Sequence, residues 1–260
     1  KELMFSTEWL GRTLTFKTGK LARQADSAVT VQYGDTVVLA TVVEAKAERE
    51  NIDFFPLMVD FEERLYAAGL IKGSRWIKRE GRPTDDAVLT GRMIDRSIRP
   101  LFDQESRNEV QVIITVLSAD QENDHDIVSL VAASAALAIA GVKWNGPIGG
   151  IRVGRVNNEL VFNPTYKERA ESDLDLIVAG TAKKVIMIEA GANESKEEDM
   201  HAAIMSGQKA MQPAIELINE MKEKVEIKLK EKKTKVYSED ELKAKEEKEK
   251  VTSLAKEWLA

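Results

Sequence analysis

The chain has 260 residues, 43% of them hydrophobic and 32% charged, with a formal net charge of -6, which is enough chain for a buried core and one or two domains. It contains no cysteine, so disulfides, thiolate metal sites and cysteine nucleophiles are excluded, and its two histidines, His125 and His201, are too far apart for an H-x-x-x-H zinc pair. No run of about 18 apolar residues is present to span a bilayer and no apolar leader opens the chain, so a soluble, cytoplasmic protein with no membrane partner is expected, trimmed of its initiator Met.

The first third reads as strands. Thr13 to Thr18 alternates polar and apolar residues before Gly19, and the Val-rich runs Ala28–Tyr33 and Thr36–Val43 flank Gly34-Asp35 as a hairpin. Asp53–Leu65 is a further strand, with Pro56 at a bulge or edge. Residues 67–82 combine three glycines with a basic cluster and read as a functional loop. A helix follows from Asp85 to Arg99, capped by Thr84, favoured at its N-terminus by Asp85 and Asp86, and stopped by Pro100.

Glu109–Leu117 alternates as a strand, and Asp126–Ala140 is an Ala-rich helix closed by Gly141. Residues 148–162 form a hairpin turning at Asn157-Asn158, Thr165–Ser172 a short helix, and Asp173–Ala179 with Lys183–Glu189 a second strand pair. Ser195-Lys196-Glu197-Glu198 has the capping-box pattern and opens a helix to about Glu223, kinked at Pro213. From Lys222 to Lys250, 20 of 29 residues are charged, which marks a domain boundary and then a helix needing a partner surface.

Charge is unevenly spread. Between Ile71 and Arg99 stand eight cations (Lys72, Arg75, Lys78, Arg79, Arg82, Arg92, Arg96, Arg99) and four acids, a local +4 that leaves -10 for the rest. Such a density in an acidic protein points to an anionic ligand, with a solvated charged surface as the plain alternative. Arg92, Arg96 and Arg99 fall within a 60° arc of one helix face, opposite Ala87, Gly91, Ile94 and Ile98. Guanidinium forks suit phosphate oxygens, which favours a phosphate backbone over a salt-bridged interface, although Asp95 can pair with Arg99 at i+4. In the loop, Trp76 lies among Arg75, Lys78, Arg79 and Arg82, the composition of a single-strand grip in which a base stacks on the ring; a ring tucked into the core is the alternative.

Asp173 and Asp175 share one strand face and could hold Mg²⁺, but acids at a strand start more often face solvent. Asn145–Gly150 lacks the phosphate-loop pattern and reads as a turn entering a strand. His125 reads as a helix-start residue and His201 as structural.

These segments resemble the polynucleotide phosphorylases. The resemblance lies in Gly19-Lys20-Leu21-Ala22-Arg23-Gln24-Ala25, Asp53-Phe54-Phe55-Pro56-Leu57, Tyr66-Ala67-Ala68-Gly69, Arg79-Glu80-Gly81-Arg82-Pro83, residues 92–102 and Asn145-Gly146-Pro147-Ile148-Gly149. It covers about residues 5–222 in order. It implies an α+β, RNase PH-like core over residues 1–222 and the start of an all-helical domain over 223–260. It also implies a homotrimeric ring around a single-stranded RNA path, a second RNase PH-like copy in the same protein, and KH-type and OB-fold modules beyond it. Inorganic phosphate attacks the 3′-terminal phosphodiester in that family and releases nucleoside diphosphates, with Mg²⁺ at the second copy.

By the same resemblance this is the first, non-catalytic copy. Ser118–Asp126 is acidic where active copies carry a Ser- and Gly-rich phosphate turn, and Arg169 and Ile177 stand where two of three metal-site residues belong. Asp175 alone remains, a weak remnant that gives no expected metal site. Trp76-Ile77-Lys78-Arg79 keeps one stacking ring where the family has two. The resemblance places the loop at the channel entrance and Arg92, Arg96 and Arg99 along the RNA path. A free-standing RNA-binding or scaffold pseudo-enzyme is the second reading, and the full gene length separates the two.

Overall fold

The computed structural model describes residues 2–71 and 81–225, together with Glu247, Lys250 and Val251, which are helical. The chain divides into two units, Lys1–Lys230 and Glu231–Ala260. The expected domain division at 222/223 falls a few residues before that point.

The first unit holds two sheets. Strands β1 (Leu3–Trp9), β2 (Arg12–Thr18), β3 (Ser27–Tyr33), β4 (Thr36–Glu48), β5 (Leu57–Glu63) and β6 (Asn108–Ser118) form a six-stranded sheet in the order β1-β2-β3-β4-β6-β5. All neighbours are antiparallel except β5 and β6, which run parallel. The alternation in β3, whose even-spaced residues Val29, Val31 and Tyr33 are buried, puts one face of this sheet in the core. Tyr33 pairs with Thr36 across the expected two-residue turn, and Gly34 takes φ +61 there, a conformation that glycine reaches without strain.

The second sheet, in the order β10-β9-β7-β8, contains β7 (Gly149–Val156), β8 (Glu159–Phe162), β9 (Leu174–Gly180) and β10 (Val185–Ala192), all antiparallel. Asn157 and Asn158 both have positive φ in the β7–β8 turn, as a type I′ hairpin requires.

Helices α1 (Asp85–Ile98), α2 (His125–Ile139), α3 (Tyr166–Glu171), α4 (Glu197–Ala210) and α5 (Gln212–Lys224) pack around these sheets. Helix α2 touches β3, β4 and β6 of the first sheet and β7 of the second, and every residue from Ile127 to Ile139 is buried. Its alanines permit that close approach. On β7 only glycine fits at position 150, where a Cβ would lie 2.2 Å from Leu130 Cδ2. Ser27 fastens β3 to α2 by donating to the Ala136 carbonyl at 2.8 Å, and Trp9 Nε1 donates to the Ala210 carbonyl at 2.8 Å.

The structure corrects three expectations. The Asp53–Leu65 strand begins only at Leu57, because Pro56 has no N–H for the ladder, and ends at Glu63. The long C-terminal helix is two helices that part at Met211, with Pro213 in the first turn of α5, where a missing N–H costs nothing. Ser195 does not cap α4: Lys196 holds the N-cap position without a side-chain bond, and Ser195 Oγ accepts from Arg155 Nη2 at 3.0 Å. The capping box is instead at α3, between Thr165 and Glu168.

Candidate functional site

Helix α1 is built as its sequence requires. Thr84 Oγ1 accepts from Ala87 N at 3.1 Å, and Asp85 and Asp86 occupy the first turn. Ala87, Gly91, Ile94 and Ile98 are buried, while Arg92 and Arg96 are exposed and Arg99 is half-buried. The three arginines have different surroundings. Arg92 makes no ion pair among the described residues and lines a groove of about 340 Å³ between α1 and β5. Arg96 Nη1 lies 3.3 Å from Glu189 Oε2 in an exposed pair, which holds it only weakly.

Arg99 is committed to the fold. Its Nε and Nη2 donate to the two oxygens of Asp95 at 2.9 and 2.7 Å. Its Nη1 and Nη2 also donate to the carbonyls of Phe55 and Leu57 at 3.3 and 3.1 Å. Four of its five N–H groups are used within the chain. Arg82 is exposed just ahead of α1. Arg75, Trp76, Lys78 and Arg79 lie outside the described residues.

Beside α1 opens a cleft of about 450 Å³, lined by Thr90 of α1, Asp124, His125 and Asp126 at the start of α2, and Arg152, Arg169, Asp175 and Glu189. Arg152, on β7, is 3% exposed. Its Nη1 donates to Asp175 Oδ1 at 2.5 Å, and its Nε lies 2.5 Å from Asp124 Oδ2 at an angle that makes an ion contact without a hydrogen bond. Arg169, on α3, donates from Nε to Asp175 Oδ2 at 3.0 Å, and its Nη1 lies 3.5 Å from Asp124 Oδ2. Both arginines therefore bridge the same two carboxylates. Beyond the cleft, Arg155 grips Asp173, which lies just ahead of β9 and not in it as expected, and reaches Asp199 at 3.0 Å, so Asp173 and Asp175 are held by separate arginines.

His125 stacks on Phe61, with ring centroids 5.8 Å apart. Its Nε2 lies 2.8 Å from Glu63 Oε1 and its Nδ1 3.2 Å from the Tyr166 hydroxyl. A proton on Nε2 lets the carboxylate accept there and Nδ1 accept from the tyrosine. Asp126 Oδ1 accepts from Thr90 at 3.0 Å. Burial, and then the neighbouring Asp124 charge, push the Asp126 carboxyl up to about 6 against the opposing pull of His125 and Arg152. The same burial and the Asp124 and Asp126 charges push the Tyr166 hydroxyl up. Burial works to lower Arg152, but Asp124 and Asp175 outweigh it and hold the guanidinium charged.

A divalent cation does not fit these residues. Ligand atoms of Asp124, His125 and Asp126 lie within 4.8 Å of one another. Each, however, is already engaged: Asp124 by Arg152 and Arg169, His125 by Glu63 and Tyr166, Asp126 by Thr90. Mg²⁺ needs near-octahedral oxygen ligands, and two guanidiniums occupy the carboxylates that would supply them.

Sequence reasoning points to Arg169 but misses Arg152. The available signal was a charged residue between Ile151 and Val153 in a strand with no polar face, a position that demands a partner.

Residues 11–143 match the 3′ exoribonuclease family, domain 1, and residues 146–210 match its domain 2. The chain belongs to the 3′ exoribonuclease (RNase PH) family. Over 217 residues it is 57% identical to the polyribonucleotide nucleotidyltransferase of Bradyrhizobium sp. (strain ORS 278), and 56% identical to those of Rhodopseudomonas palustris (strain ATCC BAA-98 / CGA009) and Nitrobacter winogradskyi. Each match takes in 84% of this chain, which spans 30% of the length of these relatives. The resemblance to polynucleotide phosphorylase and the RNase PH-like fold are thus both borne out. The crystal structure of rice (Oryza sativa) Rrp46 superposes with a TM-score of 0.65 at 15% identity, covering 85% of this chain and 94% of that one, a likeness of fold. No helix among the described residues is long and apolar enough to cross a membrane.

Proposed function

We propose that this chain is the first RNase PH-like copy of a phosphorolytic 3′ exoribonuclease, and that it binds RNA without cleaving it. The observation that carries this reading is the contrast between two neighbouring surfaces. Arg92 and Arg96 face outward on α1, whereas the adjacent cleft has its Asp124 and Asp175 carboxylates closed by Arg152 and Arg169. Exposed guanidiniums can meet phosphates, but a cleft whose Asp124 and Asp175 carboxylates are both held by guanidiniums offers little to phosphoryl chemistry.

In the whole protein, inorganic phosphate and Mg²⁺ act at a second copy, where phosphate attacks the terminal phosphodiester of single-stranded RNA and releases a nucleoside diphosphate. A phosphate nucleophile and an anionic backbone repel each other, and arginines from this copy lower that cost. Arg82, Arg92 and Arg96 line the RNA path here, and Arg75, Trp76, Lys78 and Arg79 join them as the loop grip. Arg99 contributes charge and one remaining N–H, while its main task is to hold β5. A homotrimeric ring, a cytoplasmic location, and a core over residues 1–222 followed by a helical segment over 223–260 belong to the same reading.

The test is RNA binding by the full-length protein carrying Arg92→Ala and Arg96→Ala. Weaker affinity with unchanged melting supports the reading; unchanged affinity for single-stranded RNA across a salt series contradicts it.

A further inference from the structure

The cleft carboxylates have an arrangement that their loss of chemistry does not by itself explain. Asp124 precedes α2, Asp175 lies on β9, Arg152 on β7 and Arg169 on α3, so four elements converge on one charge cluster. Asp124 Oδ2 meets Arg152 Nε at 2.5 Å and Arg169 Nη1 at 3.5 Å. Asp175 offers one oxygen to each guanidinium: Oδ1 to Arg152 Nη1 at 2.5 Å, and Oδ2 to Arg169 Nη2 at 2.9 Å. Two carboxylates from different elements, doubly bridged by positive charge, are what a divalent cation would otherwise hold together. Two guanidiniums deliver the same +2.

We infer that Arg152 and Arg169 are resident counter-ions that take the place of a divalent cation in this cleft, and that removing Arg169 turns Asp124 and Asp175 into a cation site. The two arginines differ in a way that makes this testable. The Arg152 side chain is 4% exposed and enclosed, so its loss strands the buried Asp124 carboxylate within the fold. The Arg169 side chain is 35% exposed at the cleft mouth, and its removal opens Asp175 Oδ2 and one side of Asp124 Oδ2 to solvent while Arg152 stays seated. Neutral Gln at 169 leaves that carboxylate edge with half of its counter-charge, and hard oxygen ligands with excess negative charge bind divalent cations. The cluster thereby ties the start of α2 to β7, α3 and β9 with no metal supplied.

The inference extends the non-catalytic reading, and the two fail separately. Mn²⁺ serves as the probe, since its free-ion paramagnetic resonance signal falls on binding. The 260-residue chain and its Arg169→Gln variant are titrated with Mn²⁺, and their melting is followed with Mn²⁺ or with EDTA. The wild type should show no cleft-dependent uptake and the same melting temperature in both conditions. The variant should melt lower in EDTA, recover part of the loss in Mn²⁺, and take up about one Mn²⁺ that Asp175→Asn abolishes when added to it. Mn²⁺ uptake by the wild type that Asp175→Asn removes would overturn the inference, as would a folded variant that neither binds nor responds to Mn²⁺. If Arg169→Gln does not fold, the wild-type titration decides alone: no Asp175-dependent uptake supports the inference, and such uptake overturns it. Nucleoside diphosphate release by the wild-type chain, lost in Asp175→Asn, would overturn the non-catalytic reading itself; Mn²⁺ uptake without that release overturns only the counter-ions.

Discussion

Arg99 holds Asp95 through both carboxylate oxygens and, with the same guanidinium, caps the carbonyls of Phe55 and Leu57 at the entrance to β5. A residue on the basic stripe of α1 is thereby a clamp between a helix and an edge strand. Arg99→Ala removes a charged pair and leaves two carbonyls and Asp95 without it. It should cost about 1–3 kcal/mol, reduced toward the lower end by partial exposure, and lower the melting temperature by several degrees. RNA affinity per folded molecule should change little. Weaker affinity at unchanged melting would instead place Arg99 on the ligand.

Arg92 and Arg96 should behave in the opposite way. Arg96 has only the exposed pairing with Glu189, and Arg92 has no ion pair among the described residues, so replacing both with Ala should leave melting nearly unchanged. For every phosphate that an arginine no longer neutralises, the slope of log affinity against log salt should fall by about 0.7 for single-stranded RNA. A salt slope identical to wild type excludes both residues from the RNA path.

Asp126 gives the fold a pH signature. Its carboxyl titrates near 6 in the folded chain against an ordinary value of 3.8, so the folded state binds more protons than the unfolded state between those values. Its contribution to stability is therefore fully present below about pH 4 and falls as pH rises through about 6. Asp126→Asn removes that loss. Relative to wild type, the variant should gain roughly 2–3 kcal/mol between pH 4 and pH 7, after a constant offset for the altered bond to Thr90. Urea unfolding of both proteins across that range measures it; parallel curves would show that Asp126 titrates normally.

Arg152 should be the most sensitive of the charged positions. Arg152→Met keeps the stem but strands the buried Asp124, and removing one partner of a buried pair costs about 3–5 kcal/mol. Adding Asp124→Asn should recover part of that loss, because the uncompensated buried charge then disappears. Melting of the single and double variants distinguishes this from a simple cavity effect, in which the second change would only destabilise further.

Local rules made most of the scaffold legible. The 3.6-residue period placed Ala87, Gly91, Ile94 and Ile98 in the core and the arginines outside, and Asn157-Asn158 and Gly34-Asp35 announced their turns. Asp95–Arg99 was legible as an i, i+4 pair. What sequence could not supply were partners distant along the chain. Ser195 has the spacing of a cap, but Arg155, forty residues earlier, competes for its hydroxyl with a charged donor. The cleft was half visible: Asp175, Arg169 and Ile177 stood out against the family pattern, yet Arg152 acquires its meaning only when β7 lies beside β9 and the start of α2. Arg99 shows the same limit, since helical periodicity shows which face it occupies but not that the Phe55 and Leu57 carbonyls accept from it there.

The proposal that this copy binds RNA and does no phosphoryl chemistry is tested by phosphorolysis with the 260-residue chain alone. Incubated with single-stranded RNA, inorganic phosphate and Mg²⁺, it should release no nucleoside diphosphate above a no-protein control while still retaining the RNA in a binding assay. Sustained nucleoside diphosphate release that disappears in Asp175→Asn would contradict a non-catalytic role for this copy.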